Sequence, residues 1–169
     1  RAGSARMQRF LDTRSNDLLT LPESVALTCD LAAVQEAETV LPVVADVPLE
    51  YLYEPNASVL KAGVQDALCA RFDVEKLHRN SNLFTASRLV ENFPGRAFRV
   101  QACHDFSKQS LKSLQAQMTK ANLTVRNFPS TVEQLRKRLK LKDGGDVYLF
   151  ATTLSGDRHV LLQCEKIKE

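Results

Sequence analysis

The run from Ala121 to Thr153, ANLTVRNFPSTVEQLRKRLKLKDGGDVYLFATT, restricts the fold more than any other part of the chain. Leu123 and Val125 alternate with polar neighbours, the pattern of a half-buried strand. Phe128 and Pro129 close that strand. Ser130 followed three residues later by Glu133 predicts a helix opened by a capping box, in which each side chain satisfies a free backbone N–H. Val132, Leu135 and Leu139 fall on one helical face. The other faces carry Arg136, Lys137, Arg138, Lys140 and Lys142. Gly144-Gly145 stops the helix, and Val147–Leu154 reads as the next strand. An apolar scaffold thus presents a dense run of cations that ends in a glycine turn. Phosphate binding is one reading of it, and a solvated helix face is the competing one.

The flanking sequence extends this unit. Ala97–Cys103 alternates Phe98 and Val100 with Arg99 and Gln101, predicting a strand. Ser107–Lys120 sets Leu111, Leu114 and Met118 on one helical face, with Lys108 and Lys112 on another. Ser155-Gly156-Asp157 is a hairpin turn before a last strand, His159–Ile167. The expected order is β-α-β-α-β-β, a four-stranded sheet with helices on one face.

Upstream, Leu49–Tyr53 predicts a strand running into Glu54-Pro55-Asn56, where Asn56 is placed to cap a helix over residues 57–71. Residues 72–77 and 82–86 read as short extended pieces, Arg88–Asn92 as a helical turn, and Phe93–Arg96 as a turn built on Pro94 and Gly95. Residues 1–24 read as a helical lead-in, 25–31 as a strand and 32–41 as a helix. The opening RAGSARMQRF has no initiator Met and no apolar segment after its arginines. The expectation is a piece of a longer or processed protein, without a secretory signal and cytoplasmic. No apolar run approaches the roughly 20 residues that span a bilayer.

Charge separates the halves. Residues 1–100 carry 11 Lys/Arg against 13 Asp/Glu, and residues 101–169 carry 12 against 7, so the formal charge of +3 is the sum of a slightly acidic part and a basic one. A basic domain beside a near-neutral one favours a polyanionic partner, most often nucleic acid. Cys29, Cys69, Cys103 and Cys164 are far apart, form no C-x-x-C pair and sit in apolar contexts; buried free thiols in a reducing compartment are expected.

Catalytic motifs are missing. The sequence holds no G-x-G-x-x-G after a strand, no P-loop and no G-x-S-x-G elbow. His78, His104 and His159 have no partners at metal-ligand spacing. His104-Asp105 could orient an imidazole, but Cys103 should point to the opposite face of the strand. Base stacking on an open sheet is not indicated either: Trp is absent, and Phe98, Phe128 and Phe150 read as core.

Six segments carry a family resemblance: YLYEPNASVLKAG (51–63), KLHRNSNLFTA (76–86), FPGRAF (93–98), ANLTVRNFP (121–129), LRKRLKLKDGGDVYLFATT (135–153) and VLLQC (160–164). In order and spacing they resemble the C-terminal region of a bacterial class I SAM-dependent methyltransferase family, in which a small ferredoxin-like segment precedes a THUMP-like domain. The resemblance implies an α+β fold with a ferredoxin-like segment at 51–94 and a THUMP-like α/β domain at 95–169. Residues 1–50 would be lead-in and linker, or a remnant of the catalytic domain. THUMP domains are generally RNA-binding modules of RNA-modifying enzymes, so the resemblance implies an RNA methyltransferase as parent. No segment matches that family's SAM-binding or catalytic motifs. The expectation is therefore a non-catalytic region with no cofactor of its own, SAM belonging to the parent.

Two readings follow. In the first, Arg126, Arg136, Lys137, Arg138, Lys140 and Lys142 contact RNA phosphates and position the RNA for the catalytic domain. In the second, the chain packs on that catalytic domain without touching RNA, and Glu54 and Asn56 are interface residues. Neither involves a membrane or a metal.

Overall fold

A computed structural model describes residues 42–168. The elements expected over residues 1–41, and Cys29, lie outside the described residues. The order is β1 (Tyr51–Pro55), α1 (Ala57–Ala62), α2 (Ala67–Phe72), β2 (Glu75–Lys76), β3 (Phe84–Ala86), β4 (Gly95–Asp105), α3 (Lys108–Gln117), β5 (Asn122–Val125), α4 (Val132–Leu139), β6 (Val147–Leu154) and β7 (Arg158–Lys166). The fold is α+β, and its C-terminal part runs β-α-β-α-β-β as the alternation predicted.

The four strands of that part do not form a separate sheet. They belong to one seven-stranded sheet in the order β2-β3-β1-β4-β7-β6-β5. β5 and β6 are parallel, joined over the sheet by α4, and the remaining pairs are antiparallel. β4 is the hinge of the architecture. Its first half pairs with β1 from Tyr51↔Arg99 to Pro55↔Gly95, and from Phe98 to Asp105 it pairs with β7 across an irregularity between Val100 and Ala102. Such a bulge bends a strand and increases its twist. Laid flat, β1 and β5 would stand about 19 Å apart, four spacings of roughly 4.8 Å. Yet the guanidinium of Arg126, just past β5, reaches Glu54 of β1 at 2.7 Å. The sheet is therefore curled, and its ends approach on the concave side.

Each strand serves both faces because successive side chains alternate. On the convex face Leu149, Ala151 and Leu161 pack against Leu111 and Leu114 of α3 and Leu135 and Leu139 of α4. On the concave face Leu52, Phe98, Phe150 and Leu162 meet Leu77 and Leu83 from the loop between β2 and β3. A third cluster joins Tyr53, Phe84 and Phe93 to α1 and α2.

Several local expectations are corrected. The helix over 57–71 is two short helices, because Gly63 adopts the left-handed conformation (φ 72°, ψ 27°) and ends α1. Asn56 occupies the N-cap position of α1, but its side chain makes no cap hydrogen bond. The capping box of α4 is one residue later than predicted: Thr131 accepts from the Gln134 N–H, and Gln134 returns to the Thr131 N–H. Arg88–Asn92 is loop and not a helical turn. Among the cysteines, Cys69 and Cys164 are buried as expected but Cys103 is exposed. It lies in the part of β4 beyond β1, where only β7 flanks the strand.

Candidate nucleic-acid interface

α4 is built to hold its inner face rigidly. Leu135 and Leu139 are fully buried, contributing about 1.5–3 kcal/mol each, and the capping box fixes the start. All three of its basic residues, Arg136, Lys137 and Arg138, occupy the last turn, where cations also complement the negative end of the helix dipole at about 0.3–1 kcal/mol apiece. Part of the pattern that suggests phosphate binding thus has a role within the helix itself.

The six sequence-predicted cations separate into groups. Lys140 ends α4 in the left-handed conformation (φ 54°). Lys142 lies past the helix and bridges in parallel to Lys120, with its N–H on Thr119 O at 2.9 Å and its carbonyl accepting from Ala121 N–H at 3.1 Å. Arg138 and Lys142 therefore do not stack as an i,i+4 pair of like charge, because the helix has stopped before Lys142. Lys137, Lys140 and Lys142 are exposed, and Lys120, which sequence reasoning did not single out, joins them at this end. Only pairing across the sheet brings Lys120 there, so no local signal marks it.

Arg136 and Arg138 are more committed. Arg136 is half-buried, holds Asp143 at 3.5 Å and has a buried Nε with no partner. Arg138 lies over the Phe106 ring at 5.0 Å, and its carbonyl accepts from Gln115 of α3. Its guanidinium keeps an outward face for an anion.

Arg126 stands apart. It follows the C-terminal end of β5, whereas Lys120 and Lys142 flank the start. Six residues of extended chain separate these ends by about 20 Å. Its Nε and Nη2 donate to Glu54 Oε1 at 3.0 and 2.7 Å, and Nη1 donates to Val125 O at 2.9 Å. Arg96, the residue opposite Glu54 in the β1–β4 register, donates to Glu54 Oε2. Glu54 is thus a buried carboxylate clamped by two arginines. Beside it, His78 Nδ1 accepts from Asn80 N–H at 3.1 Å, and Asn127 Nδ2 lies 3.2 Å from the same nitrogen. That leaves Nε2–H to donate to Asp157 at 2.9 Å. This polar seam ties the β2–β3 loop and β1 to the loops after β5 and β6. Sequence reasoning missed Arg96 and His78 as partners because the seam depends on register and curl.

The lysine end of α4 can attract a polyanion; the seam is spent on the protein's own groups. Among the described residues no set of His, Cys, Asp or Glu is arranged to hold a metal ion, and no helix is long and apolar enough to cross a membrane.

Comparison with known proteins fits this architecture. Residues 51–94 match a ferredoxin-like domain family and residues 95–166 match the family described as THUMP domain-like. No curated protein matches the chain. A solved structure described as "putative methyltransferase from Porphyromonas gingivalis W83" is similar at 35% identity with a TM-score of 0.75, over 80% of this chain and 34% of that one. The chain spans about a third of that relative's length. Residues 51–166 therefore belong to the ferredoxin-like and THUMP domain-like families, in the tandem order that the sequence segments resembled.

Proposed function

We propose that this chain is the RNA-contacting, non-catalytic region of an RNA methyltransferase, and that it holds RNA by its phosphates while a separate SAM-binding domain performs the transfer. The observation that carries this reading is the cluster of exposed lysines at the C-terminal end of α4, Lys137, Lys140 and Lys142, with Lys120 bridged alongside. THUMP-like membership and the methyltransferase relative point the same way. Cations on phosphates supply affinity and orientation but read no bases, so the proposed contact is sequence-tolerant. Arg138 adds a fifth charge at the edge of the patch. Arg126 contributes indirectly, by fixing the loop after β5 against Glu54.

The test is a salt titration of RNA binding by fluorescence anisotropy. Four phosphate contacts to a single strand, one for each lysine, give a log–log slope of about −3. The triple reversal K137E/K140E/K142E should abolish binding, and R126Q should leave the slope unchanged. A flat salt dependence refutes the proposal.

A specific observation also supports the second reading, in which the region packs on the catalytic domain. Val43, Val47 and Leu89 are large hydrophobic residues left exposed on the N-terminal part of the described structure, far from the lysines of α4 in the sheet order. The two readings are compatible, since a substrate-holding region must also be positioned.

A further inference from the structure

A groove of about 1090 Å³ opens where the loop 89–94 meets the first residues of β4 and the last of β7; Leu89, Phe93, Arg96, Lys166, Ile167 and Lys168 are among its walls. One wall is anchored. Tyr53 Oη accepts from Val90 N–H at 2.8 Å and donates to Arg88 O at 3.3 Å, while Asn56 N–H donates to Pro94 O at 2.9 Å. Phe93 packs against Tyr53 and Phe72, with ring centroids 4.9 and 5.5 Å apart. The groove is therefore preformed, as binding clefts usually are.

Its chemistry has two parts. Leu89 is 46% exposed, and Ile167 is half-buried, so apolar surface is left open to solvent. Around it stand two uncommitted cations, Lys166 and Lys168, against one acid, Glu91, while Arg96 in the same wall is already paired with Glu54. The Asn56 side chain, free of any cap hydrogen bond, is a further polar group at the same site.

We infer that this groove docks an acidic, leucine-bearing segment of the methyltransferase portion that accompanies such a region in the relative. An apolar side chain of that segment covers Leu89 and Ile167, and its carboxylates meet Lys166 and Lys168; this charge complementarity fixes its register. Nucleic acid fits the groove less well. Bases seek exposed ring faces, and the groove's Phe93 is only 8% exposed. The inference rests on the reading that a methyltransferase domain accompanies this region, and it is independent of RNA contact at α4.

The test uses the 169-residue chain as a labelled probe of short overlapping peptides covering the Porphyromonas gingivalis protein outside the matched region. At least one acidic, leucine-containing peptide should be retained above its scrambled control. The double variant K166E/K168E and, separately, L89D should each weaken its binding at least about fivefold. K137E/K140E/K142E should leave it unchanged, which separates failure at this groove from failure of the RNA contact. Circular dichroism of each variant establishes that it is folded. Retention of no peptide, insensitivity to the groove variants, or displacement of the bound peptide by a short oligouridylate each overturns the inference.

Discussion

Replacing Glu54 by Gln tests whether the clamp at the concave edge of the sheet holds the molecule together. The side chain is 9% exposed and receives Arg96 on one oxygen and two donors of Arg126 on the other. Gln has the same shape, so no cavity forms and the loss is electrostatic. Breaking a fully buried ion pair costs about 3–5 kcal/mol, chiefly because the abandoned charge stays buried. Here the arginine side chains are 42% and 46% exposed, so water can resolvate them. Discounting by about half for that solvation gives roughly 2 kcal/mol. In a chain of this size that corresponds to a fall in melting temperature of about 4–8 °C. Urea unfolding followed by far-ultraviolet circular dichroism measures it, since the chain lacks Trp. A double-mutant cycle with R126Q should return a coupling of about 1 kcal/mol or more. The difference should survive in 0.5 M salt, because a buried carboxylate is poorly screened. A loss below about 0.5 kcal/mol, or strict additivity with R126Q, would refute the clamp as a source of stability.

Other perturbations probe the remaining structure. Gly95→Ala would set a Cβ 2.0 Å from the Glu54 carbonyl oxygen; because backbone cannot yield as a side chain does, the variant should lose about 3 kcal/mol in the same unfolding assay. Thr131→Ala removes half of the α4 capping box and should cost about 1 kcal/mol, whereas Ser130→Ala should be near neutral. Burial, reinforced by neighbouring Cys103, pushes the Cys164 thiol up to about 12 from 9.0. The folded state therefore favours the protonated thiol: this contribution is fully present below pH 9 and disappears as pH rises to 12. It is worth on the order of 4 kcal/mol, and unfolding midpoints taken across that window in wild type and Cys164→Ala should converge. At pH 8 a thiol reagent should modify exposed Cys103 well before Cys164.

Local chemistry made much of the C-terminal part readable. β6 coincides with the predicted Val147–Leu154, since that strand-forming run lies between a glycine turn and the Ser155–Asp157 hairpin turn. The amphipathic faces of α3 and α4 follow from the spacing of Leu111, Leu114, Leu135 and Leu139. Two misreadings were matters of competing local signals. Ser130 and Glu133 form as good a capping pair on paper as Thr131 and Gln134, and Gly63 could pack inside a helix or end one. The use of Arg126 was legible only from tertiary structure. Its partner Glu54 lies 72 residues away, and nothing in either neighbourhood encodes the curl that joins them. Sequence likewise listed six cations together without showing that Arg126 stands at the opposite end of β5 from the lysines that close α4.

The border at Gly95, where one matched family stops and the next starts, coincides with the first residue of the strand that both halves share. A cut there would strip β1 from β4 and leave five residues of main-chain donors and acceptors on each side without partners. Exposed strand edges of that kind recruit other chains. Anyone dissecting the molecule at its apparent domain limit should obtain sticky fragments, and the unit to clone is the pair.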